Sequence, residues 1–200
     1  MGVAPDASFP EYTAMVARIH ALDWRELGLD FLGVPLDAGA ALAAELDAVA
    51  ARMPAFGCVS DPLLGRALET LRATIPADGR LALCQGDINV FNYLFRGGQV
   101  VSVVDWEQAR ISDPRSDIGQ LVALAHLKGA PFGPAAQQNF VQAYSGVSGE
   151  ALKGMEFFRG FWLFQLGVIY HGWMSFNASE PWYSLDHLSD LLEAAIAELR

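Results

Sequence analysis

The stretch from residue 83 to residue 107, LCQGDINVFNYLFRGGQVVSVVDWE, decides how the middle of the chain folds. Near its centre, Gly97-Gly98 separates an apolar run at 93–95 from a second apolar run at 100–104. Paired glycines between two such runs predict a two-residue hairpin turn, because both central residues of that turn need a positive φ angle. The stretch therefore predicts two antiparallel strands that turn the chain back on itself.

Two acids and one amide flank this predicted hairpin. Asp87 and Asn92 precede it, and Asp105 follows it. We expect the turn to carry Asp105 close to Asp87 and Asn92, although the two acids are far apart in the chain. Two carboxylates and an amide oxygen at one place form the kind of oxygen-rich pocket in which Mg²⁺ binds together with phosphate and water.

The order of these residues has a counterpart in kinases, whose catalytic loops read H-R-D-x-x-x-x-N and whose site is completed by a later Asp. The chain resembles more closely the aminoglycoside phosphotransferase and choline kinase-like superfamily, in which H-G-D-x-x-x-x-N is followed by a hairpin, D-W-E and D-P-x-x-D. The matching segments here are Gln85-Gly86-Asp87, Asp105-Trp106-Glu107 and DPRSD at 113–117. The segment HALDWRELGL at 20–29 resembles the branch related to the kinase-like domains of some acyl-CoA dehydrogenases.

This resemblance implies a role for each residue of the predicted site. Asp87 is the expected catalytic base, and Asn92 and Asp105 are the expected Mg²⁺ ligands. Gln85 replaces the family's His, which supports the loop by hydrogen bonds, and Asp117 is expected to brace the loop from the next helix. Each acid also has a simpler interpretation: Asp87 as a turn cap, Asp105 as a strand-ending residue, and Asp117 as a first-turn acid favoured by the helix dipole.

Most of the remaining chain has the periodicity of amphipathic helices. Apolar spacing and the start signals Asp61-Pro62 and Asp113-Pro114 predict helices over 10–22, 42–53, 62–75, 114–125, 135–144, 151–176 and 188–199, with a break at 129–134. Together with the resemblance, this predicts a mainly α fold with one small β-hairpin. It corresponds to the C-terminal lobe of a protein-kinase-like (α+β) fold, with the N-terminal lobe absent.

We expect one domain over residues 1–200. The catalytic loop and metal hairpin occupy 83–107, and a helical subdomain occupies 114–200. The aromatic residues between 157 and 164 are expected to be core, and the alternative is that they form one wall of a substrate pocket.

Charge and composition narrow the classes of partner. A formal net charge of −10 argues against nucleic acid and against an anionic membrane, because both attract basic surfaces. Apolar runs are shorter than the ~18 residues of a membrane span. The two cysteines, Cys58 and Cys84, form neither a disulfide framework nor a metal spacing, and the four histidines share no metal-ligand spacing. We therefore expect a reduced, cytoplasmic protein.

Two parts of a kinase-like site have no counterpart in this sequence. Kinase chemistry uses a glycine-rich loop and a lysine, both before the catalytic loop, to hold the nucleotide phosphates. Here the lysines are Lys128 and Lys153, and no G-x-G-x-x-G precedes Gln85. We therefore expect poor nucleotide affinity from this chain alone. We also expect self-association, or pairing with a chain that supplies the lobe, through an apolar surface.

The function predicted from the resemblance is a small-molecule phosphotransferase that moves the γ-phosphate of ATP to a substrate hydroxyl, with Mg²⁺ and ATP as cofactors. Aminoglycosides, choline-like amines, sugars and hydroxyacyl compounds all fit as substrates. One alternative is a catalytically silent kinase-like module kept for binding or assembly. Another is metal-dependent hydrolysis at the same acids, although the sequence has no further His or Glu cluster for a two-metal site.

Overall fold

The structure is a computed structural model, which describes residues 5–128 and 133–200. Within these ranges the chain is mainly helical, with four short strands and 3₁₀ turns at Leu29–Leu32 and Val90–Asn92. The helices are α1 (Pro5–His20), α2 (Ala38–Ala50), α3 (Pro62–Ala73), α4 (Pro114–Leu124), α5 (Pro134–Ser148), α6 (Met155–Phe176) and α7 (Leu185–Glu198). The strands are β1 (Ala82–Cys84), β2 (Tyr93–Arg96), β3 (Gln99–Val103) and β4 (Arg110–Ser112).

Two helices begin at the predicted Asp-Pro signals. The carboxylate of Asp61 accepts hydrogen bonds of 2.9 and 3.0 Å from two amides in the first turn of α3. The carboxylate of Asp113 accepts one of 2.9 Å from an amide in the first turn of α4. Each acid satisfies donors that the first turn leaves free, and the proline beside it has no N–H to lose.

Two other helix boundaries differ from the prediction. Helix α1 begins at Pro5, so Pro10 lies inside it; the fixed φ of proline is compatible with a helix and costs one hydrogen bond there. Helix α6 begins at Met155 and not at residue 151, because Gly154 adopts a left-handed conformation with φ of 67°. The predicted break at 129–134 falls mostly on residues 129–132, which lie outside the described ranges.

The predicted hairpin is confirmed. Strands β2 and β3 pair antiparallel, with Arg96 opposite Gln99 and Tyr93 opposite Val103. The turn between them has positive φ angles at both glycines, 57° at Gly97 and 80° at Gly98. A two-residue turn of this kind matches the right-handed twist of the strands on either side of it.

The structure also contains a second strand pair, which the sequence analysis missed. Strands β1 and β4 pair antiparallel, with Leu83 opposite Ile111 and Cys84 opposite Arg110. Both strands are three residues long, and no tight turn joins them. Strands this short show too little alternation to be recognised, and their pairing depends on contacts between distant parts of the chain. This pair ties the start of the catalytic loop to the chain that follows the hairpin.

Helix α6 is the centre of the larger of two core clusters. The aromatic residues predicted to be core are buried there: Phe157, Phe158, Phe161, Trp162 and Phe164. The second cluster lies between α1, α5 and the strands, and α4 contributes to both clusters. No helix in the described part of the chain is long and apolar enough to span a membrane.

Helices α4 and α6 approach each other closely. A Cβ atom at Gly119 would lie 2.7 Å from the Cβ of Phe158 and 2.9 Å from its carbonyl oxygen. The indole N–H of Trp162 donates a hydrogen bond of 2.5 Å to the carbonyl of Ser116. These contacts fix α4 against the core, and α4 carries two side chains that hold the candidate site.

Candidate functional site

Asp87 lies in the loop after β1, and its half-buried carboxylate is held by three uncharged donors. The oxygen Oδ1 accepts hydrogen bonds from the side-chain amide of Gln120 at 2.6 Å and from the backbone amide of Asn89 at 3.3 Å. The oxygen Oδ2 accepts one from the side-chain amide of Asn92 at 3.1 Å. A carboxylate offers about four lone-pair positions, so one on Oδ2 stays open.

Asn92 is in direct contact with Asp87. Its Nδ2 also donates to the backbone carbonyl of Asp87 at 2.9 Å, which fixes the orientation of the amide. Its Oδ1 has no hydrogen-bond partner among the described residues, and the side chain is only partly buried. The carbonyl of Asn92 accepts a hydrogen bond of 2.9 Å from the amide of Val104, which ties the loop to the end of the hairpin.

Asp105 follows the hairpin in a strained conformation. Its φ angle is 63°, the one positive value at a non-glycine residue in the described ranges. A left-handed conformation costs such a residue roughly 1–2 kcal/mol, so the surroundings must enforce it. The carboxylate is exposed and makes no hydrogen bond or ion pair with any residue that the structure describes. The backbone around Asp105 therefore reaches the loop through Gln85, while its side chain makes no hydrogen bond to Asn92.

Gln85 connects the loop to the residues around Asp105. Its Nε2 donates to the carbonyl of Val104 at 2.9 Å and to the carbonyl of Asp105 at 3.2 Å. Its Oε1 accepts a hydrogen bond of 3.2 Å from the hydroxyl of Tyr93. Burial raises the pKa of Tyr93, so this hydroxyl stays a donor. All the polar atoms of the Gln85 side chain are thus used to join the loop to both ends of the hairpin.

Asp117, in the first turn of α4, lies directly behind the loop. Its Oδ2 accepts from the backbone amide of Gln85 at 2.8 Å, and its Oδ1 accepts from that of Gly86 at 3.0 Å. The ring nitrogen Nε2 of His20 lies 3.1 Å from the same carboxylate. Burial alone would raise the pKa of Asp117, but the hydrogen bond from His20, the charge of Arg110 and the hydrogen bond from the Gln85 amide together lower it.

His20 is a fully buried residue with partners on both ring nitrogens. Its Nδ1 lies 2.8 Å from the hydroxyl of Tyr144. Burial raises the pKa of Tyr144, so the hydroxyl is protonated and donates to Nδ1. The other nitrogen, Nε2, then carries the hydrogen that it donates to Asp117. His20 is therefore a core residue whose two ring nitrogens both have hydrogen-bond partners.

Glycine is required at position 86. Its φ angle is 89°, and a Cβ atom there would collide with the carbonyl of Gln108 and lie 2.6 Å from Nη1 of Arg110. Arg110 in turn lies in a partly buried ion pair, with Nε 2.8 Å from a carboxylate oxygen of Glu45 on α2. Burial lowers the pKa of Arg110, but the nearby acidic groups, with Glu45 the largest contributor and Asp117 next, together raise it above its ordinary value.

The Glu45 ion pair was missed by the sequence analysis. Glu45 also accepts a hydrogen bond of 3.0 Å from the hydroxyl of Ser116 and another from the hydroxyl of Ser112. No spacing in the sequence connects Glu45 with these residues, because they lie far away in the chain. The network fixes α2, β4 and α4 to one another behind the loop.

Gln120 was also missed, although the sequence contained a signal for it. It lies three positions after Asp117, and residues at that spacing share one face of a helix. A helix that braces the loop through Asp117 therefore presents position 120 to the same loop. The Oε1 of Gln120 is buried and has no hydrogen-bond partner within the described ranges.

Three side chains behind the loop are close enough together to be considered as metal ligands. The ligand atoms of His20, Cys84 and Asp117 all lie within 4.8 Å of one another, and all three residues are buried. Burial raises the pKa of the Cys84 thiol well above its ordinary value, so it stays protonated. Asp117 and His20 already have hydrogen-bond partners. The cluster is therefore better described as hydrogen-bonded core than as a metal centre.

Two less buried side chains, one in the loop and one after the hairpin, are better suited to a cation. The Oδ1 of Asn92 and the carboxylate of Asp105 are oxygen donors without a partner in the part of the chain that the structure describes. Oxygen atoms of this type suit Mg²⁺, which binds through one or two carboxylates together with phosphate and water. In the chemistry of their oxygen atoms, these two side chains suit a magnesium ion.

Comparisons with known proteins found a matching family model and several similar proteins. A family model described as a phosphotransferase enzyme family matches residues 4–161. Among curated proteins, acyl-CoA dehydrogenase family member 10 of Mus musculus is 28% identical over 122 residues, which are 58% of this chain and 11% of the mouse protein.

Several solved structures share the fold. A proposed aminoglycoside phosphotransferase from Ralstonia eutropha JMP134 matches 99% of this chain and 65% of its own chain, with a TM-score of 0.74 and 21% identity. An aminoglycoside-3'-phosphotransferase of type VIII matches 80% of this chain and 60% of its own chain, with a TM-score of 0.58 and 26% identity. The macrolide 2'-phosphotransferase MphH from Brachybacterium faecium matches 97% of this chain and 59% of its own chain, with a TM-score of 0.56 and 19% identity.

The chain spans less than two thirds of the length of each of these proteins. The neighbours confirm the prediction that this chain has part of a kinase-like fold.

Proposed function

The chain belongs to the phosphotransferase enzyme family, and on this basis we propose that it transfers the γ-phosphate of ATP to a hydroxyl group of a small molecule. The observation that carries the proposal is the arrangement of the Asp87 carboxylate. Three uncharged N–H groups hold it in place, and one lone pair on Oδ2 stays open toward the partly exposed side of the loop.

Asp87 is the proposed catalytic base. A carboxylate with a free lone pair can accept the proton of the attacking hydroxyl or hold that hydroxyl in line with the phosphorus. The donors around Asp87 are neutral, so no positive charge competes for the proton. Asp117 and Gln85 are proposed to act indirectly, because they hold the loop backbone and the end of the hairpin and do not face the open side.

Asn92 and Asp105 are the proposed ligands of a magnesium ion. When bound, this ion would neutralise the charge of the phosphate oxygens and orient them. Asn92 contributes its free Oδ1, because its Nδ2 is already committed to Asp87. Asp105 contributes an exposed carboxylate, and Gln85 holds the carbonyl groups on either side of it in the conformation that displays it.

We further propose that full activity requires the part of the fold that covers the nucleotide in kinase-like enzymes. Phosphate positioning supplies most of the catalysis in this chemistry, and the two lysines of the chain both follow the catalytic loop. The substrate is proposed only as a class, a small molecule with a hydroxyl group. The names of the structural neighbours point to aminoglycosides and macrolides, and the resemblance adds choline-like amines, sugars and hydroxyacyl compounds.

The alternative function is a kinase-like module that binds without catalysis. The observation that favours it is Gln85, which replaces the family's His. The hydrogen bonds of Gln85 weaken this argument, because its amide donates to two carbonyls and accepts from Tyr93. The enzyme is therefore the preferred proposal.

Calorimetric titration separates the two functions. We expect Mg²⁺ with ATP to bind weakly but measurably to the wild-type chain, and we expect Asp105→Ala to lose this binding because a metal ligand is removed. Asp190→Ala, which removes an exposed acid on α7, is the control and should bind as the wild type does. If no nucleotide gives heat with the wild type, or if Asp105→Ala binds equally well, the phosphotransferase proposal is wrong.

A further inference from the structure

We propose that Gln120 is a positioning residue for the transfer step: its side-chain amide fixes the Asp87 carboxylate so that Oδ2 receives the substrate proton. This inference rests on the proposed function. It adds a residue that the resemblance and the sequence pattern did not single out, and it assigns the reactive oxygen.

The assignment of Oδ2 follows from how the lone pairs are used. A carboxylate oxygen has about two lone pairs. Those of Oδ1 are both engaged, by the amide of Gln120 at 2.6 Å and by the backbone N–H of Asn89 at 3.3 Å. Only one lone pair of Oδ2 accepts a hydrogen bond, from the side-chain amide of Asn92 at 3.1 Å. A substrate hydroxyl can therefore donate to Oδ2 without displacing a protein donor.

Gln120 can fix the carboxylate because it is itself fixed. It lies in the interior of α4 and is 6% exposed. One turn earlier on the same helix, Asp117 holds the backbone amide of Gly86, next to Asp87 in the chain, at 3.0 Å. One rigid helix therefore sets both the position of the loop backbone and the rotation of the Asp87 side chain.

A second observation separates this role from simple packing. The Oε1 of Gln120 is buried and finds no partner among the described residues. A buried acceptor without a partner destabilises the fold, and an apolar side chain of the same length would avoid that loss. The amide is thus present despite its effect on stability, which is typical of residues that serve a site.

The transfer step balances with Asp87 as the acceptor of the proton. The O–H bond of the substrate breaks, and the proton goes to Oδ2. The electron pair of that bond forms the new bond from the substrate oxygen to the γ-phosphorus. The bond from phosphorus to the bridging oxygen breaks, and its electron pair stays on ADP.

The first test compares Gln120→Met with the wild type in the full-length protein. Without the donor, the Asp87 carboxylate can rotate, and a hydrogen bond to a charged group is lost. We expect kcat to fall about ten- to a hundredfold, KM for ATP to stay the same, and the melting temperature to stay equal or rise. Gln138→Met, at an exposed position of α5, is the matched control and should leave all three unchanged.

The second test uses pH to identify the donor. A protonated Glu at position 120 can donate to Oδ1 of Asp87, whereas an ionised Glu repels it. The ratio of the Gln120→Glu rate to the Gln120→Met rate should therefore rise as the pH falls. A merely structural role for Gln120 would leave this ratio constant with pH.

The outcomes distinguish this inference from the proposed function. If Asp87→Asn abolishes transfer while Gln120→Met keeps the wild-type kcat, the inference about Gln120 is wrong and the proposed function stands. The inference about Gln120 is also wrong if two results occur together. These are a fall in the melting temperature of Gln120→Met that accounts for its whole loss of kcat, and a ratio of the Gln120→Glu rate to the Gln120→Met rate that does not change with pH. If the wild type transfers no phosphate, or if Asp87→Asn transfers as fast, the proposed function fails and the role of Gln120 fails with it.

Discussion

At the scale of single residues, neutral amides do most of the positioning around Asp87. Gln85, Asn92 and Gln120 each use a side-chain amide to hold a carbonyl or carboxylate of the loop or hairpin. An amide does not change its charge with pH, so this part of the site keeps its geometry across the physiological range. The side chains of His20 and Asp117, behind the loop, are buried and hydrogen-bonded to each other.

Replacing Asp117 by Asn should weaken the fold and the site together. An Asn offers one acceptor oxygen where the carboxylate now serves two backbone amides and His20, so we expect a loss of about 2–4 kcal/mol in the free energy of unfolding at pH 7. Urea titration measures this loss. Asp190→Asn, at an exposed position, is the control and should unfold as the wild type does.

The same substitution should change how stability depends on pH. The pKa of Asp117 is lower in the folded protein than in the unfolded chain. Its contribution is therefore complete above the unfolded value of about 4 and is lost as the pH falls through the folded pKa. Asp117→Asn should accordingly lose less stability than the wild type below pH 4. An equal loss in both proteins would show that Asp117 is not held as a charged group.

At the scale of elements, α4 decides where the loop lies. It touches both core clusters, it closes against α6, and its first two turns carry Asp117 and Gln120. The hairpin and the β1–β4 pair hold the loop from the other side. A substitution that shifts α4 should therefore alter the candidate site even if the substituted residue does not contact that site.

Two glycine substitutions test this element. Gly119→Ala places a Cβ 2.7 Å from the Cβ of Phe158, so we expect it to cost about 1–3 kcal/mol by overpacking. Gly65→Ala, in α3, meets no atom within 4 Å, so we expect a gain of about 0.5–1 kcal/mol from helix propensity. Thermal unfolding should move in opposite directions for the two variants. A shift in the same direction would contradict the packing described for α4.

At the scale of the whole molecule, the surface beside the site is apolar. Phe91, Leu94, Val101 and Val104, the outer hairpin group, are exposed on the hairpin or the turn before it, and Phe91 is 73% exposed. Phe91 is the neighbour of Asn92, so the group lies next to the proposed metal ligands. Exposed apolar groups of this size favour association with another surface.

We therefore keep the prediction that this chain self-associates or pairs with a chain that supplies the nucleotide-covering lobe. Phe91→Lys should reduce self-association, because it places a charge in the outer hairpin group. Phe176→Lys changes an equally exposed aromatic residue at the end of α6 and serves as the control. Light scattering at tens of micromolar protein measures the self-association of the wild type and of both variants. A wild-type chain that stays monomeric would contradict the prediction.

The sequence alone determined the local features. Paired glycines specify the hairpin turn, Asp-Pro pairs specify two helix starts, and the order of Asp87, Asn92 and Asp105 pointed to the correct family. Each of these signals lies within a short segment, because turn geometry and helix capping depend on neighbouring residues.

Only the tertiary structure decided which distant residues support the loop. The pairing of β1 with β4, the ion pair of Glu45 with Arg110 and the contact of Gln120 with Asp87 each join segments far apart in the chain. Such contacts depend on how helices and strands pack. Helical spacing indicates that Gln120 shares a face with Asp117, but no pattern in the sequence identifies Asp87 as its partner or pairs the other two sets of segments. The positive φ of Asp105 was also decided only by the tertiary structure, because a strained conformation is enforced by the surrounding structure and not by the residue itself.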